Sequence, residues 1–271
     1  MKADMSWKKN LRQPAPGAHL VQVYQDSTFL AQAVCHFISS DLDDDGAVII
    51  IAKHTHSEAF QARLKAGGID LQSARDRGQI KFFDAELMLS AFMIDGMPDW
   101  NIFEAALSNI LGDTLSRFKS IRAYGEMVDL LWQKGQREAA ICLEEYWNDL
   151  AKQYDFSLLC AYFMDNLSSD FYDGALECLC KTHSHLVTQQ DDSLLDVAVT
   201  EASQNILGQS LTGLLGDTSH FSHPTTVMST AQAKLLYLSK NLPLTTQDIL
   251  SHTKARYKNL EEKHIWSLLS V

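Results

Sequence analysis

Short, continuous apolar runs alternate with helix-like segments between His19 and about Val187, and this alternation constrains the fold more than any other feature of the chain. A continuous apolar run predicts a strand that is buried on both faces, as in a parallel sheet covered by helices. Strands and helices in alternation are joined by right-handed crossovers, so the pattern predicts a doubly wound α/β fold with a mainly parallel sheet. The candidate strands are residues 19–24, 47–52, 80–83, 121–124 and 156–162, with a short one at 186–188.

The organisation changes after about residue 189, where helix-like segments follow one another without strands between them. We therefore predict an N-terminal tail at residues 1–16, an α/β domain at 17–189 and a helical C-terminal appendage at 190–271. Apolar stripes that include Leu195 and Val199 need a covering surface, which is either the α/β domain or a second subunit. Because most homo-oligomers are two-fold symmetric, we expect a homodimer. The predicted helices are 191–208, 230–238 and 246–267, with a loop at 213–224.

The composition argues against several classes of protein. A formal net charge of −11 speaks against a broad nucleic-acid surface, because phosphate binding requires clustered lysine and arginine. The basic cluster of Lys8, Lys9 and Arg12 is interpreted as part of a solvated tail, with a partner-binding arm as the alternative. No apolar run approaches the roughly 20 residues of a membrane-spanning helix, and the first residues lack a signal-peptide core. We therefore expect a cytoplasmic protein with reduced cysteines and no membrane association.

A phosphate-binding loop would lie at the junction between the second strand and the following helix. Residues 53–57 read Lys-His-Thr-His-Ser and contain no glycine, although a P-loop needs glycines so that backbone amides can surround a phosphate. We therefore expect no ATP hydrolysis. An anion at the helix N-terminus and a capped loop with solvated histidines both remain open.

Glu126 is the strongest single candidate for a functional residue. It follows the strand 121–124 within the sequence Gly125-Glu126-Met127, at the edge of the sheet where open α/β folds bind ligands. A carboxylate in this position can act as a base, contact a ligand, or pair with Lys53 or a histidine. The structural alternative is a hydrogen bond to neighbouring loop amides.

Metal binding is a weaker hypothesis. His54 with His56, and His183 with His185, form two H-x-H pairs of the kind that can chelate a metal, but nothing in the sequence shows that the pairs meet. Cys178 and Cys180 beside His183 and His185 look more like a zinc site, but Cys180 fits a buried helix face with Ala175, Leu176 and Leu179, so packing is preferred. We expect no metal and no cofactor. The acidic residues Glu144, Glu145 and Asp149 are interpreted as a solvated helix face.

The stretch from about His19 to Val187 resembles the MEDS family, the methanogen/methylotroph sensory domain of dichloromethane-regulator type. Four motifs carry the resemblance, and their order and spacing make it fairly specific. The first two are the H-x-x-x-x-Y strand from His19 to Tyr24 and the G-E-M strand end Gly125-Glu126-Met127. The third is the helix 143–148 followed by the strand 157–162, which contains Cys160 and Tyr162. The fourth is Thr182-His183, which is followed by Ser184 where the family usually has proline.

The resemblance implies a RecA-like or KaiC-like α/β fold without a working P-loop. It also implies a sensory role in bacterial or archaeal signalling, a small organic ligand, and a signalling partner such as a histidine kinase or a regulator. It assigns no catalytic residue.

We therefore predict a sensory or regulatory module that binds a small ligand or a partner protein at the carboxyl edge of the sheet. The predicted ligand-binding residues are Lys53, His54, Glu126 and Tyr162, and the C-terminal helices are expected to pass the signal on by protein–protein contact. One alternative is an enzyme, a transferase or hydrolase, that uses the same edge. A scaffold without any ligand is the other.

Overall fold

The computed structural model describes residues 6–43, 45–208 and 226–269, and the loop predicted at 213–224 lies outside them. Each predicted strand is present, with ends that differ from expectation by no more than about one residue. The strands are β1 (His19–Tyr24), β2 (Ala47–Ala52), β3 (Ile80–Asp84), β4 (Met93–Ile94), β5 (Met97–Pro98), β6 (Ile121–Gly125), β7 (Ser157–Phe163) and β8 (His185–Val187). The helices are α1 (Ser6–Arg12), α2 (Ser27–Asp43), α3 (His54–Ala66), α4 (Leu71–Asp76), α5 (Ala85–Phe92), α6 (Trp100–Leu115), α7 (Met127–Gln133), α8 (Arg137–Ala151), α9 (Leu176–Thr182), α10 (Asp192–Leu207), α11 (Thr230–Asn241) and α12 (Pro243–Leu269).

Six parallel strands form the central sheet of the described ranges, in the order β3-β2-β6-β7-β1-β8. Val21 lies opposite Cys160 in the β1–β7 pair, and Ile51 lies opposite Gly125 in the β2–β6 pair. Every residue of β1 and of β2 is buried, because helices cover both faces of the sheet. The predicted doubly wound α/β fold with C-terminal helices is therefore confirmed.

The two faces of the sheet are covered by different parts of the chain. Phe29, Phe60 and Leu71 belong to the core on one face, so helices α1 to α4 lie there. Phe103 and Trp147 belong to the core on the other face, which α5 to α12 cover. The connections that leave β1 and β2 thus run along one face, and those that leave β3, β6 and β7 run along the other.

Aspartate side chains fix where several of the helices begin. Asp84, Asp99 and Asp191 precede α5, α6 and α10, and each accepts a hydrogen bond of 2.9–3.0 Å from the backbone N–H three residues ahead. Such a cap satisfies an N–H group that has no partner within its helix. The cap at Asp191 agrees with the start predicted for the first C-terminal helix.

The N-terminal segment is not the solvated tail that the sequence analysis expected. Residues Ser6–Arg12 form helix α1, which packs against α2 with Trp7 and Leu11 buried. These two residues are four positions apart and therefore lie on the same side of the helix. Arg122 fixes the end of α1, because its guanidinium donates hydrogen bonds to the carbonyls of Leu11 and Arg12.

The C-terminal helices pack on the α/β core rather than standing apart from it. Leu195 and Val199 of α10, Leu235 of α11 and Ile249 of α12 belong to the same buried cluster as the helices of the sheet. The stripes that were expected to need a covering surface are thus largely covered within one chain. None of the helices in the described ranges is long and apolar enough to cross a membrane.

Candidate functional site

The strand order creates crevices at the carboxyl edge of the sheet. A crevice opens where neighbouring strands send their connections to opposite faces, and ligands of open α/β proteins bind there. The connection after β2 runs along the face of α3, and that after β6 along the face of α7 and α8. The same divergence separates β1, followed by α2, from β7, followed by α9. Two of the crevices therefore lie between β2 and β6 and between β1 and β7.

Glu126 occupies the β2–β6 crevice with its carboxylate fully buried. One oxygen accepts a hydrogen bond from the backbone N–H of Lys53, at the end of β2. The other oxygen lies 2.6 Å from Nδ1 of His56 and accepts a hydrogen bond of 3.3 Å from the Tyr124 hydroxyl. Both oxygens are thus engaged by groups of the protein, and the carboxylate connects β6 to the start of α3.

Asp129, in the first turn of α7, extends these contacts to the next strand. Its Oδ2 lies 3.0 Å from Nζ of Lys53, and its Oδ1 accepts hydrogen bonds of 3.0 Å from Gln133 and from the backbone N–H of Phe163. We call Lys53, His56, Tyr124, Glu126 and Asp129 the Glu126 network. It joins the carboxyl ends of β2, β6 and β7 through buried, hydrogen-bonded carboxylates.

Tyr124 of the Glu126 network and the neighbouring Tyr24 remain neutral. Burial raises the pKa of the Tyr24 hydroxyl, and the carboxylates of Asp129 and Glu126 raise it further. Burial and Glu126 raise the pKa of Tyr124 in the same way. The Tyr124 hydroxyl therefore keeps the proton that it donates to Glu126 at neutral pH. The solvent reaches the network through Lys53 and His56, whose side chains are 28% and 15% exposed.

The β1–β7 crevice contains an open cleft of about 350 Å³. The strand ends contribute polar side chains that follow β1, β7 and β8, together with one apolar residue. These are Gln25, Asp26, Asp165, Leu167, Gln189 and Gln190. The volume lies within the range of small-molecule sites, and the mixed lining suits a small polar organic compound.

Helix α12 forms the opposite wall of this cleft, with Lys254, Tyr257, Lys258 and Glu261. Lys254 forms an ion pair with Asp165, and the Tyr257 hydroxyl accepts a hydrogen bond of 2.9 Å from the backbone N–H of Asp191. Each of these contacts crosses from the C-terminal helix to a segment that follows a strand of the sheet. We call this space the α12 cleft.

The structure brings together two of the four predicted ligand-binding residues. Lys53 and Glu126 meet in the Glu126 network, as the strand ends implied. His54 does not join them, because its side chain is 80% exposed and lies beside Glu58 on the outer side of α3. Tyr162 is buried and donates a hydrogen bond of 2.6 Å to Glu144 on the other face of the sheet. None of the four lines the α12 cleft.

Glu144 was expected on a solvated acidic face, and this expectation is wrong. It is 2% exposed, whereas Glu145 and Asp149 are exposed as expected. Glu144 follows the buried Ala140 by four positions and precedes the buried Trp147 by three, so it lies on the inward side of α8. This spacing in the sequence could have predicted that Glu144 is buried.

Glu144 lies in a buried cluster with His19, Cys160 and His183, which we call the His–Cys cluster. Burial lowers the pKa of His19, and the adjacent His183 lowers it further, against opposing effects of Glu144 and Asn148. Burial and Glu144 raise the pKa of the Cys160 thiol. The sequence analysis did not group these residues, although each occurs in a motif that it quoted.

A comparison of the sequence with models of protein families finds a matching family. The family model described as MEDS, the methanogen/methylotroph, DcmR sensory domain, matches residues 18–201. The match begins next to β1 and ends within α10, so it includes the sheet, the Glu126 network and the His–Cys cluster. No curated protein matches the chain.

Proposed function

The chain belongs to the MEDS family of sensory domains, and on this basis we propose that it senses a small polar organic molecule in the α12 cleft and signals through helix α12. The single observation that carries the proposal is the position of this cleft. It lies at a divergence of strand connections, where α/β folds bind ligands, and one wall belongs to the C-terminal helix.

The contacts across the cleft support a coupling between ligand and helix. A molecule that enters between the strand ends and α12 meets the ion pair of Asp165 with Lys254 and the hydrogen bond from Asp191 to Tyr257. Its binding therefore favours one arrangement of α12 over another, to the extent that the two arrangements offer it different contacts. This differential affinity is the physical basis of the proposed signal.

The proposed output is a protein–protein contact made by the C-terminal half of α12. Residues from Glu261 to Trp266 are exposed, among them the apolar Ile265. We propose a cytoplasmic signalling partner, such as a histidine kinase or a regulator, and a homodimer as the active assembly. We propose no catalytic step, because both oxygens of Glu126, the expected base, are already engaged by groups of the protein.

A thermal-shift screen of small polar organic compounds tests the proposal. The full chain is compared with two variants of α12, Lys258→Trp and Lys263→Trp. Lys258 lines the cleft, so tryptophan there fills part of it, whereas the exposed Lys263 lies beyond it on the same helix. The two variants have the same change in charge and size, and they differ only in position.

We expect at least one compound that raises the melting temperature of the full chain and of Lys263→Trp but has a smaller effect on Lys258→Trp. Compounds that stabilise all three proteins equally would assign binding to another site. A library of polar organic compounds that yields no stabilising compound would argue against the ligand class proposed.

A further inference from the structure

The His–Cys cluster brings four metal-ligating atoms to one point inside the protein. Nε2 of His19 lies 3.3 Å from Sγ of Cys160 and 3.3 Å from Oε2 of Glu144, and the last two atoms are 3.4 Å apart. Nε2 of His183 lies 3.3 Å from Oε1 of Glu144. Ligand atoms around a tetrahedral zinc ion are about 3.3–3.8 Å apart, given metal–ligand bonds of about 2.0–2.3 Å. The His19, Cys160 and Glu144 atoms match this spacing, and the four residues offer one ligand atom each within 4.8 Å of one another, which a shared metal ion can bridge.

The histidine His183 has a buried ring nitrogen without a hydrogen-bond partner. Its Nδ1 lies 2.8 Å from the carbonyl oxygen of Leu179, which can only accept, so Nδ1 carries the proton. Nε2 is then left with a lone pair directed at the Glu144 carboxylate, and it makes no hydrogen bond. A nitrogen lone pair facing a carboxylate oxygen in a site closed to water is unfavourable unless a cation lies between them.

His19 has the same arrangement of its two nitrogens. The side-chain amide of Asn148 donates a hydrogen bond of 3.0 Å to the carbonyl of Thr182, which turns the amide oxygen towards His19. Nδ1 of His19, 3.0 Å from that oxygen, therefore carries the proton, and Nε2 presents its lone pair to Cys160 and Glu144. Metal-ligating histidines have this pattern, in which the second ring N–H donates to a carbonyl or carboxyl oxygen.

A divalent cation fits this cluster better than two protons would. Two imidazolium ions at His19 and His183 would repel each other, since the two rings are only 4.1 Å apart. A divalent ion instead attracts both lone pairs at once. With one thiolate, one carboxylate and two neutral imidazoles, the four ligands carry two negative charges and neutralise it.

We propose that His19, Glu144, Cys160 and His183 form a tetrahedral site for a divalent transition-metal ion, with Zn²⁺ as the best fit. Zinc accepts this mixture of nitrogen, oxygen and sulfur ligands, and hard cations such as Mg²⁺ and Ca²⁺ do not favour thiolate. All four residues are buried, so the protein supplies every ligand and the ion serves structure or regulation. The Tyr162 hydroxyl orients the carboxylate from outside the ligand set.

The proposed ion connects β1, α8 and β7 to the residue that follows α9. His183 lies two residues before β8, and β8 pairs with β1 next to the C-terminal helices. Metal binding therefore stabilises the attachment of the last strand to the sheet. The site is separate from the α12 cleft and does not depend on its role as a ligand site.

Titration of the metal-free full chain with Co²⁺ tests the site. Cobalt occupies zinc sites and reports its ligands by absorption. We expect one equivalent to bind, with the intense visible bands of tetrahedral cobalt and a near-ultraviolet band from thiolate-to-cobalt charge transfer. One equivalent of Zn²⁺ should abolish both signals. A folded wild-type chain that gives no charge-transfer band would overturn the proposal.

Three variants identify the ligands. Cys160→Ala should lose the charge-transfer band, and Cys180→Ala, which removes a buried thiol outside the cluster, should keep it. Asn148→Ala leaves all four ligands in place and removes the hydrogen bond that orients His19, so it should keep the band and weaken affinity about 10–100-fold. A band that persists in Cys160→Ala, or unchanged affinity in Asn148→Ala, would contradict the assignment.

Discussion

The backbone N–H of Lys53 donates a hydrogen bond to the buried carboxylate of Glu126, so a side chain connects the ends of two neighbouring strands. The ladder between β2 and β6 extends to Ile51 and Gly125, and the carboxylate continues the connection beyond it. Since Glu126 is buried and also contacts His56, its main role in this structure is to connect the ends of β2 and β6 and so to stabilise the carboxyl edge of the sheet.

Replacing Glu126 should therefore reduce stability. Glu126→Ala leaves a buried N–H without an acceptor and removes the partner of His56, which we expect to cost about 3–5 kcal/mol of unfolding free energy. Glu126→Gln keeps one acceptor oxygen and should cost about 1–3 kcal/mol. Urea denaturation measures both. Glu58→Ala is the matched control, because Glu58 makes only an exposed pair with His54, and a loss comparable to that of Glu126→Ala would contradict this account.

The fold could be predicted from the sequence because it depends on local hydrophobic patterns. The position of the α12 cleft depends instead on the order of the strands in the sheet. Continuous apolar runs such as 47–52 predict buried parallel strands, but no local signal shows that β7 lies between β6 and β1. The α12 cleft was missed for that reason. Rotation about a helix explains why His54 lies outside the Glu126 network and why Glu144 is buried, since a shift of one or two residues exchanges an exposed position for a buried one.

We expect no magnesium-dependent ATP hydrolysis. The junction after β2 has no glycine, and the Lys53 ammonium lies 3.0 Å from Asp129 rather than free to contact a phosphate. Phosphate release by the full chain should equal that of Lys53→Ala. Turnover that requires magnesium and disappears in Lys53→Ala would show that the junction binds a nucleotide after all.

The N-terminal helix should contribute to global stability. Leu11 is fully buried against the sheet face covered by α2, so Leu11→Ala should cost about 2–5 kcal/mol in urea denaturation. Lys9 is exposed on the same helix, and Lys9→Ala should change stability by less than about 0.5 kcal/mol. If the two variants were equally stable, the helix would contribute no packing energy, and the segment would behave as the solvated tail that its sequence suggested.

The cysteines should differ in their reaction with iodoacetamide. Burial raises the pKa of the Cys35 thiol to about 12, so this residue stays protonated in the folded protein at pH 8 and should react only after unfolding. Cys178 is partly exposed and should react faster than Cys35. Mass spectrometry of peptides from the folded protein measures both rates, and equal rates would mean that Cys35 is accessible as thiolate.

Hydrogen exchange along α12 tests the central claim of a ligand-coupled C-terminal helix most directly. The compound used is the strongest stabiliser from the thermal-shift screen, and helix α6 (Trp100–Leu115), which does not line the cleft, is the internal reference. The account predicts that the compound slows amide exchange around Lys254, Tyr257 and Glu261, leaves α6 unchanged, and has a smaller effect in Lys258→Trp. Unchanged exchange in α12 at saturating compound would contradict it.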